Sequence, residues 1–393
     1  MPTISPQSPT ASRKYIVVHE SDGVTRQYFY LPDTMKSWPW PRRMNPHREA
    51  AAAESMAWFK ALKPFSPRSL HAYDMSDCGL YSALAYPDVS HEHLRIAIDM
   101  MAVLFVIDEY TDVESAPEAR QTVEVAIDAL RHPDKARPEG EFIVGEIIRQ
   151  FWARARAIAT PEAAERFVDI FIDYLRAVIV QAEDRDNHTA LSIEDYLKRR
   201  RWNIGSRPTF VLGVLHLSIP HEAFHHPVIK ELEDAILDLL IVDNDIVSYN
   251  KEQATGDDTC NILTIVMRHL RVDFDSAMEW AIGYHKDVES RFLDSLLRVP
   301  SFGPAIDAAI QEYVAHLANW PRANICWSFE CGRYFGTKGS EVQKTRMVPV
   351  FPKRARNAQL RRELVEVPLV EELEQTSTVA NEDIIVEGMG HQG

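Results

Sequence analysis

From Pro46 onward the apolar positions recur at steps of three and four residues, the period of an amphipathic helix, and β-type alternation disappears. The helix starts are marked chemically. Thr160-Pro161 opens a segment whose apolar face runs through Phe167, Phe171 and Leu175. Ser192 with Asp195 forms a capping-box pattern before Tyr196, and Pro227 opens a long segment with Leu232, Ile236 and Leu239 on one face. Residues 15–31 differ: β-formers alternate around Asp22-Gly23 and predict an extended stretch or a small hairpin. The pattern divides the chain into residues 1–44, an N-terminal segment partly extended or disordered (1–14 disordered); residues 45–336, one all-α domain with helices around a central cavity; and residues 337–393, a mobile charged tail, basic through 362 and acidic beyond. With 15 glycines, no glycine-rich phosphate loop and no alternation of strands and helices, a doubly wound nucleotide-binding fold is disfavoured.

Composition narrows the partners. A formal charge of -15 argues against a nucleic-acid surface, so an anionic ligand has to be met by a local cluster of Arg, Lys and metal. Cys78, Cys260, Cys326 and Cys331 lack metal-site spacing and read as reduced thiols. No secretory signal and no stretch of transmembrane length is present, so no membrane partner is expected and the predicted location is cytoplasmic.

Two polar clusters follow apolar runs that would normally be buried. The first, Asp108-Glu109-Tyr110-Thr111-Asp112, follows Met101 to Ile107. Asp108 and Asp112 lie one helical turn apart and share a face, although this acidic chain can produce such a pattern by chance. The second runs from Asn244 to Glu252 after Ile236 to Val242. There Asn244, Ser248 and Glu252 form a stripe of carbonyl, hydroxyl and carboxylate, all oxygen donors suited to Mg²⁺. Helices ending this way point their oxygen ligands into one shared cavity, an arrangement that can hold several Mg²⁺ ions around a diphosphate.

Basic elements complete the pattern. Lys251 sits beside Glu252. Lys198-Arg199-Arg200-Arg201 runs into Trp202-Asn203-Ile204-Gly205, where a glycine costing about 1 kcal/mol in a helix marks a break or a close backbone approach. Arg333-Tyr334 offers a guanidinium and a hydroxyl to diphosphate oxygens. Phe105, one turn before Asp108, and Trp327 are candidate aromatic faces for a cation, against the plainer reading of core packing. His221-Glu222-Ala223-Phe224-His225 matches the H-E-x-x-H zinc-peptidase motif, but between Pro220 and Pro227 it is too short for the helix that chemistry requires.

Taken together these residues resemble the class I terpene synthases, specifically the basidiomycete sesquiterpene synthases, over most of residues 30–336. Asp108-Glu109-x-x-Asp112 resembles the family's aspartate-rich motif. Asn244-x-x-x-Ser248-x-x-x-Glu252, with Tyr249-Asn250 and Gln253 to Asp257, resembles its second metal motif. The resemblance implies metal ligation by Asp108, Asp112, Asn244, Ser248 and Glu252, and diphosphate contacts from Arg201, Lys251, Arg333 and Tyr334. It implies Arg201 as the diphosphate sensor, with Ile204 as linker and Gly205 as effector, and Trp327 and Phe105 at the pocket wall. It further implies three Mg²⁺ ions, for which Mn²⁺ can substitute, farnesyl diphosphate as substrate, and a monomer or homodimer. Leu31 to Thr34 and Trp38 to Arg42 look most like the subgroup that makes protoilludene-type products by 1,11-cyclisation. Two departures stand out: Glu109 where many relatives have Asp, and Asn203-Ile204 where small hydroxylated residues are frequent. The alternatives are a prenyl-chain-elongating transferase, expected to carry two aspartate-rich motifs, and a zinc peptidase using His221, Glu222 and His225.

Overall fold

The computed structural model describes residues 16–19, 25–353 and 367–375. Strands β1 (Ile16–His19) and β2 (Thr25–Tyr30) pair antiparallel in the register Ile16 to Tyr28, one of the two forms the alternating pattern allowed. The bundle begins with α1 (Arg48–Leu62), α2 (Pro67–Met75), α3 (Cys78–Ala85) and α4 (His91–Thr111). It continues with α5 (Ala116–Arg131), α6 (Val144–Ala155), α7 (Pro161–Asp186), α8 (Ile193–Asn203) and α9 (Ser206–Leu212). Next come α10 (His221–Phe224), α11 (Pro227–Thr255), α12 (Ile262–Leu270), α13 (Phe274–Leu296) and α14 (Pro304–Glu330). The C-terminal elements are α15 (Gly332–Phe335), α16 (Gly339–Thr345), β3 (Met347–Pro349) and α17 (Val370–Gln375).

Predicted starts coincide with observed caps. Thr160 accepts from the Ala163 amide before Pro161, and Ser192 accepts from the Asp195 amide. The long helix α11 begins at Pro227 as expected and is the spine of the fold. It packs on α13 and α14, while α4 packs on α1, α3 and α6. Its run from Ala235 to Val242 is buried on every side and apolar apart from Asp238, rather than apolar on one stripe.

The expectation of a mobile tail from residue 337 is corrected for residues 337–353 and 367–375. Helix α16 is followed by β3, which pairs antiparallel with β2 through Phe29 and Val348. Both side chains are buried, so the strand completes a three-stranded sheet instead of leaving an open edge on β2. Sequence periodicity missed this strand because three residues carry no readable alternation. The disorder predicted for residues 1–14 lies outside the described residues.

A candidate metal and diphosphate site between α4 and α11

The two clusters do end up facing one cleft. Asp108 lies in the last turn of α4 and Asp112 caps its end, with the Asp112 amide donating to the Asp108 carbonyl at 2.9 Å. About half of each carboxylate side chain remains accessible, 53% for Asp108 and 52% for Asp112. Protein nevertheless crowds them. Burial, then the neighbouring Asp108 and Glu109 charges, push the Asp112 carboxyl well above the usual carboxylate range. That combination fits a group facing a wet cleft rather than bulk solvent. Arg185, on α7, donates to the Thr111 carbonyl at 3.0 Å and to the Glu114 carbonyl, and its head lies 3.9 Å from Asp112.

Across the cleft, α11 carries Asn244, Ser248 and Glu252 on one face, as the spacing predicted. The Ser248 hydroxyl is buried and makes no hydrogen bond of ordinary geometry. It still lies close enough to Glu252 to lower that carboxyl's pKa. Burial is the larger effect, followed by the Asp245 charge, and Glu252 is pushed up to about 7. Asn261, the N-cap of α12, donates to Glu252 Oε2 at 2.9 Å and to the Asp245 carbonyl at 2.7 Å. An unpartnered buried hydroxyl beside a carboxyl that resists ionisation, in a set made only of oxygens, is the donor chemistry a hard divalent cation would satisfy. Among the described residues no three His, Cys, Asp or Glu side chains converge on one point. Any cation here therefore depends on the amide and hydroxyl oxygens as much as on carboxylates.

Three cations surround these oxygens. Arg333 lies 3.7 Å from Asp108 and 3.4 Å from Glu109, and its guanidinium stands 5.1 Å from the Phe105 ring centroid. Burial opposes its charge, but Tyr334, Glu109 and Asp108 raise its pKa further. Tyr334 accepts a hydrogen bond from Asn244 Nδ2 at 3.1 Å. Lys251 is lowered to about 8, by burial first and then by Arg333.

The third cation is not the one anticipated. Arg201 turns away to α11 and α13, where its Nε and Nη2 reach the buried Asp238 at 2.6 and 2.8 Å. Tyr284 and Arg291 donate to the same carboxylate at 2.8 and 2.9 Å. Arg200 faces the cleft instead. It donates to Asn244 Oδ1 at 3.3 Å and to Asn203 Oδ1 at 3.4 Å, and lies 3.9 Å from Asp245. Burial disfavours its charge, yet Tyr196, Asp245, Glu252 and Asp108 keep it protonated. Successive helical residues project about 100° apart, so a one-residue error in register exchanges one arginine for the other. Asn203 and Ile204 accordingly stand where Ile204 and Gly205 were expected relative to the inward arginine. The break itself is where the glycine put it. Gly205 has φ +79° between α8 and α9, and a Cβ there would sit 3.2 Å from Leu104.

Buried aromatic residues pack beside Arg333 and Tyr334. Trp327 stacks on Tyr81 with centroids 4.5 Å apart and meets the edge of Tyr334 at 5.6 Å; its indole N–H, donating to the Ser76 carbonyl at 2.6 Å, fixes the ring. Phe105 packs against Tyr73 at 5.1 Å and Phe65 at 5.8 Å. His221 opens the short α10 and His225 caps its end, ring centroids 4.1 Å apart, with no third ligand among the described residues. Arg200 and Asn203 were named in the sequence only as members of the basic run and of the helix break, and Tyr81 and Asn261 were not singled out. Of the last two, only Asn261 had a legible signal, an N-cap residue before the apolar Ile262-Leu263.

Residues 99–291, which contain both clusters and Arg200, match the family model described as terpene synthase family 2, C-terminal metal binding. The chain is 54% identical to sesquiterpene synthase 14 of Postia placenta over 342 residues, covering 87% of this chain and 97% of that one. It is 45% identical to the Delta(6)-protoilludene synthase of Armillaria gallica, covering 83% and 95%. Among solved structures, the linalool/nerolidol synthase of Streptomyces clavuligerus superposes with a TM-score of 0.66 at 22% identity, over 76% of this chain and 99% of that one. At that identity the superposition speaks for the fold alone. Sequence, fold and the paired oxygen clusters agree: the chain belongs to the terpene synthase family, binds divalent metal and has the all-α class I fold.

Proposed function

We propose that this protein is a sesquiterpene synthase that ionises and cyclises farnesyl diphosphate with release of diphosphate, by 1,11-cyclisation to a protoilludene-type hydrocarbon. The observation that carries the reading is the convergence of Arg200, Lys251 and Arg333 on a cleft flanked by Asp108 and the Asn244–Ser248–Glu252 stripe. The fungal relatives named as sesquiterpene and Delta(6)-protoilludene synthases support the substrate and product class.

Asp108, with Asp112, and Asn244, Ser248 and Glu252 are the residues that would hold Mg²⁺, three ions by the family pattern. Bound there, the metal supplies Lewis-acid neutralisation of the diphosphate oxygens. Arg200, Arg333 and Tyr334 place donors on the same oxygens, so negative charge developing on the leaving group meets preorganised positive charge. This makes Arg200 the diphosphate-facing arginine, Asn203 its partner at the helix break and Arg201 the anchor of that break. Lys251, lowered to about 8, carries its proton through most of the neutral range and adds a third cation. Breaking the allylic C–O bond leaves a carbocation, which the faces of Trp327, Tyr81 and Phe105 stabilise by about 0.5–2 kcal/mol each. The apolar wall excludes water, which would otherwise capture the cation.

Incubation of the purified chain with farnesyl diphosphate and Mg²⁺, followed by gas chromatography, tests the reading. A cyclic hydrocarbon that disappears in Asp108→Ala and Asn244→Ala is expected. Turnover of no prenyl diphosphate, with no thermal shift on adding Mg²⁺ and diphosphate, overturns it. Chain elongation only in the presence of isopentenyl diphosphate would replace it with the transferase reading.

A further inference from the structure

The C-terminal chain returns to the rim of this same cleft. Gln253 Nε2, on α11 next to Glu252, donates to the Phe351 carbonyl at 2.7 Å, and the Phe351 amide donates to Asn250 Oδ1 at 2.9 Å. Phe351 then forms a small apolar cluster with Ala254 of α11 and with Val370 and Leu373. The metal-bearing helix therefore holds the returning chain by both hydrogen bonds and packing. The segment Val367 to Val370 lies over Lys251 and Arg333, closing a small pocket against Met75 and Ser76 at the end of α2.

This placement is specific. The Val367 amide donates to Ser69 Oγ at 3.2 Å, and Val367, Val370 and Leu373 are buried. The acidic residues on either side of Leu373 meet nearby bases, Glu372 with Arg68 at 2.6 Å and Glu374 with Lys338 at 2.9 Å. Gly336 has φ +52°, and a Cβ there would fall 2.4 Å from the Glu371 carboxylate. A side chain at position 336 would be strained in its backbone and would displace the Glu371 side chain that rests against it, next to Val370.

We propose that Val367–Gln375 is a strap that closes the diphosphate end of the cleft and keeps water from the cation, so that it helps decide between hydrocarbon and alcohol products. The inference rests on the cyclase reading above. Water reaching the cation forms a C–O bond and loses one proton, giving an alcohol; with water excluded, the cation loses a proton from carbon and gives an alkene. Leu373 and Gly336 lie outside the residues assigned to metal, diphosphate or cation, so altering them loosens the strap without removing a reacting group.

Full-length Leu373→Asp and Gly336→Ala variants are compared with the unaltered chain in two measurements. The first is hydrogen exchange of residues 367–375 with Mg²⁺ and inorganic diphosphate, which needs no turnover. The unaltered segment is expected to gain protection and both variants to lose most of that gain. The second is the product mixture from farnesyl diphosphate in ¹⁸O-water, where the variants are expected to raise the ¹⁸O-labelled alcohol fraction at least fivefold. Gly336→Ala serves as the readout if Leu373→Asp fails to fold. No added protection in the unaltered chain, or an unchanged alcohol fraction in a variant whose strap exchanges freely, overturns the strap. An unaltered chain that gains protection but turns over no prenyl diphosphate overturns the cyclase reading instead, and with it the water-excluding role.

Discussion

The two walls of the cleft are built to different standards. On the α11 side most of the oxygens sit in a network, the Ser248 hydroxyl being the exception: Asn244 between Arg200 and Tyr334, Glu252 under Asn261, and Asp245 bound by the Tyr196 hydroxyl at 2.6 Å and the Ile262 amide at 2.8 Å. On the α4 side Asp108 and Asp112 are half exposed and meet their arginines only at 3.7 and 3.9 Å. A wall locked by hydrogen bonds places its ligands before anything binds. A wall of loosely paired carboxylates can adjust to metal and substrate, and its charges repel one another until cations arrive. The comparison teaches that affinity and geometry reside mainly on α11, while α4 supplies charge that is organised on binding.

The strongest way to break this comparison is Asn244→Ala. It removes an oxygen donor and unlinks Arg200 from Tyr334, and is expected to lower kcat by about 10²–10³-fold, the scale of losing one preorganised electrostatic group. A loss no greater than that of Asp112→Asn would refute the asymmetry. Single-turnover assays with circular dichroism as a fold control check it.

The arginine pair gives the next effect. Arg200→Ala is expected to lower kcat/KM by about 10²-fold with the melting temperature little changed. Arg201→Ala should act first on stability, because it deprives the buried Asp238 of two charge-assisted hydrogen bonds, at a cost of about 1–3 kcal/mol in chemical denaturation. The opposite pattern, with Arg201→Ala folded normally and inactive, would restore Arg201 to the cleft.

Mg²⁺ affinity should depend on pH in a direction set by Glu252. Its carboxyl holds a proton up to about pH 7, and a metal must displace that proton. Affinity measured by calorimetry is expected to rise as pH rises through 7 and to fall by up to about tenfold per unit below it. Glu252→Gln should flatten this dependence. The smallest effect is expected at Asp112→Asn, a loss of about tenfold or less, since the half-exposed carboxylate has a ligand neighbour in Asp108 one turn away.

Much of this was legible in the chain. The helical period, the caps at Thr160 and Ser192 and the burial of the run before Asn244 follow from local chemistry, because a helix records its environment every three to four residues. The three-residue β3 and the returning Val367–Gln375 carry too few positions for any period, and the charges of the latter read as solvated until Arg68 on α2 and Lys338 are placed beside them. Arg185 and Tyr81 were invisible for a related reason: each acts across the fold on a residue distant in sequence.

What the sequence determined by itself is the pair of oxygen-rich helix segments, their spacing and the break at Gly205, all consequences of helical geometry within a single element. Which arginine enters the cleft was decided only by tertiary structure. Arg200 and Arg201 are identical in chemistry and adjacent in the chain, and α8 can point only one of them at Asn244. The buried Asp238, held also by Tyr284 and Arg291, takes Arg201 and fixes the rotation of the helix. A carboxylate contributed by α11 beneath α13 thus selects the arginine, a choice that cannot be read from the run of bases itself.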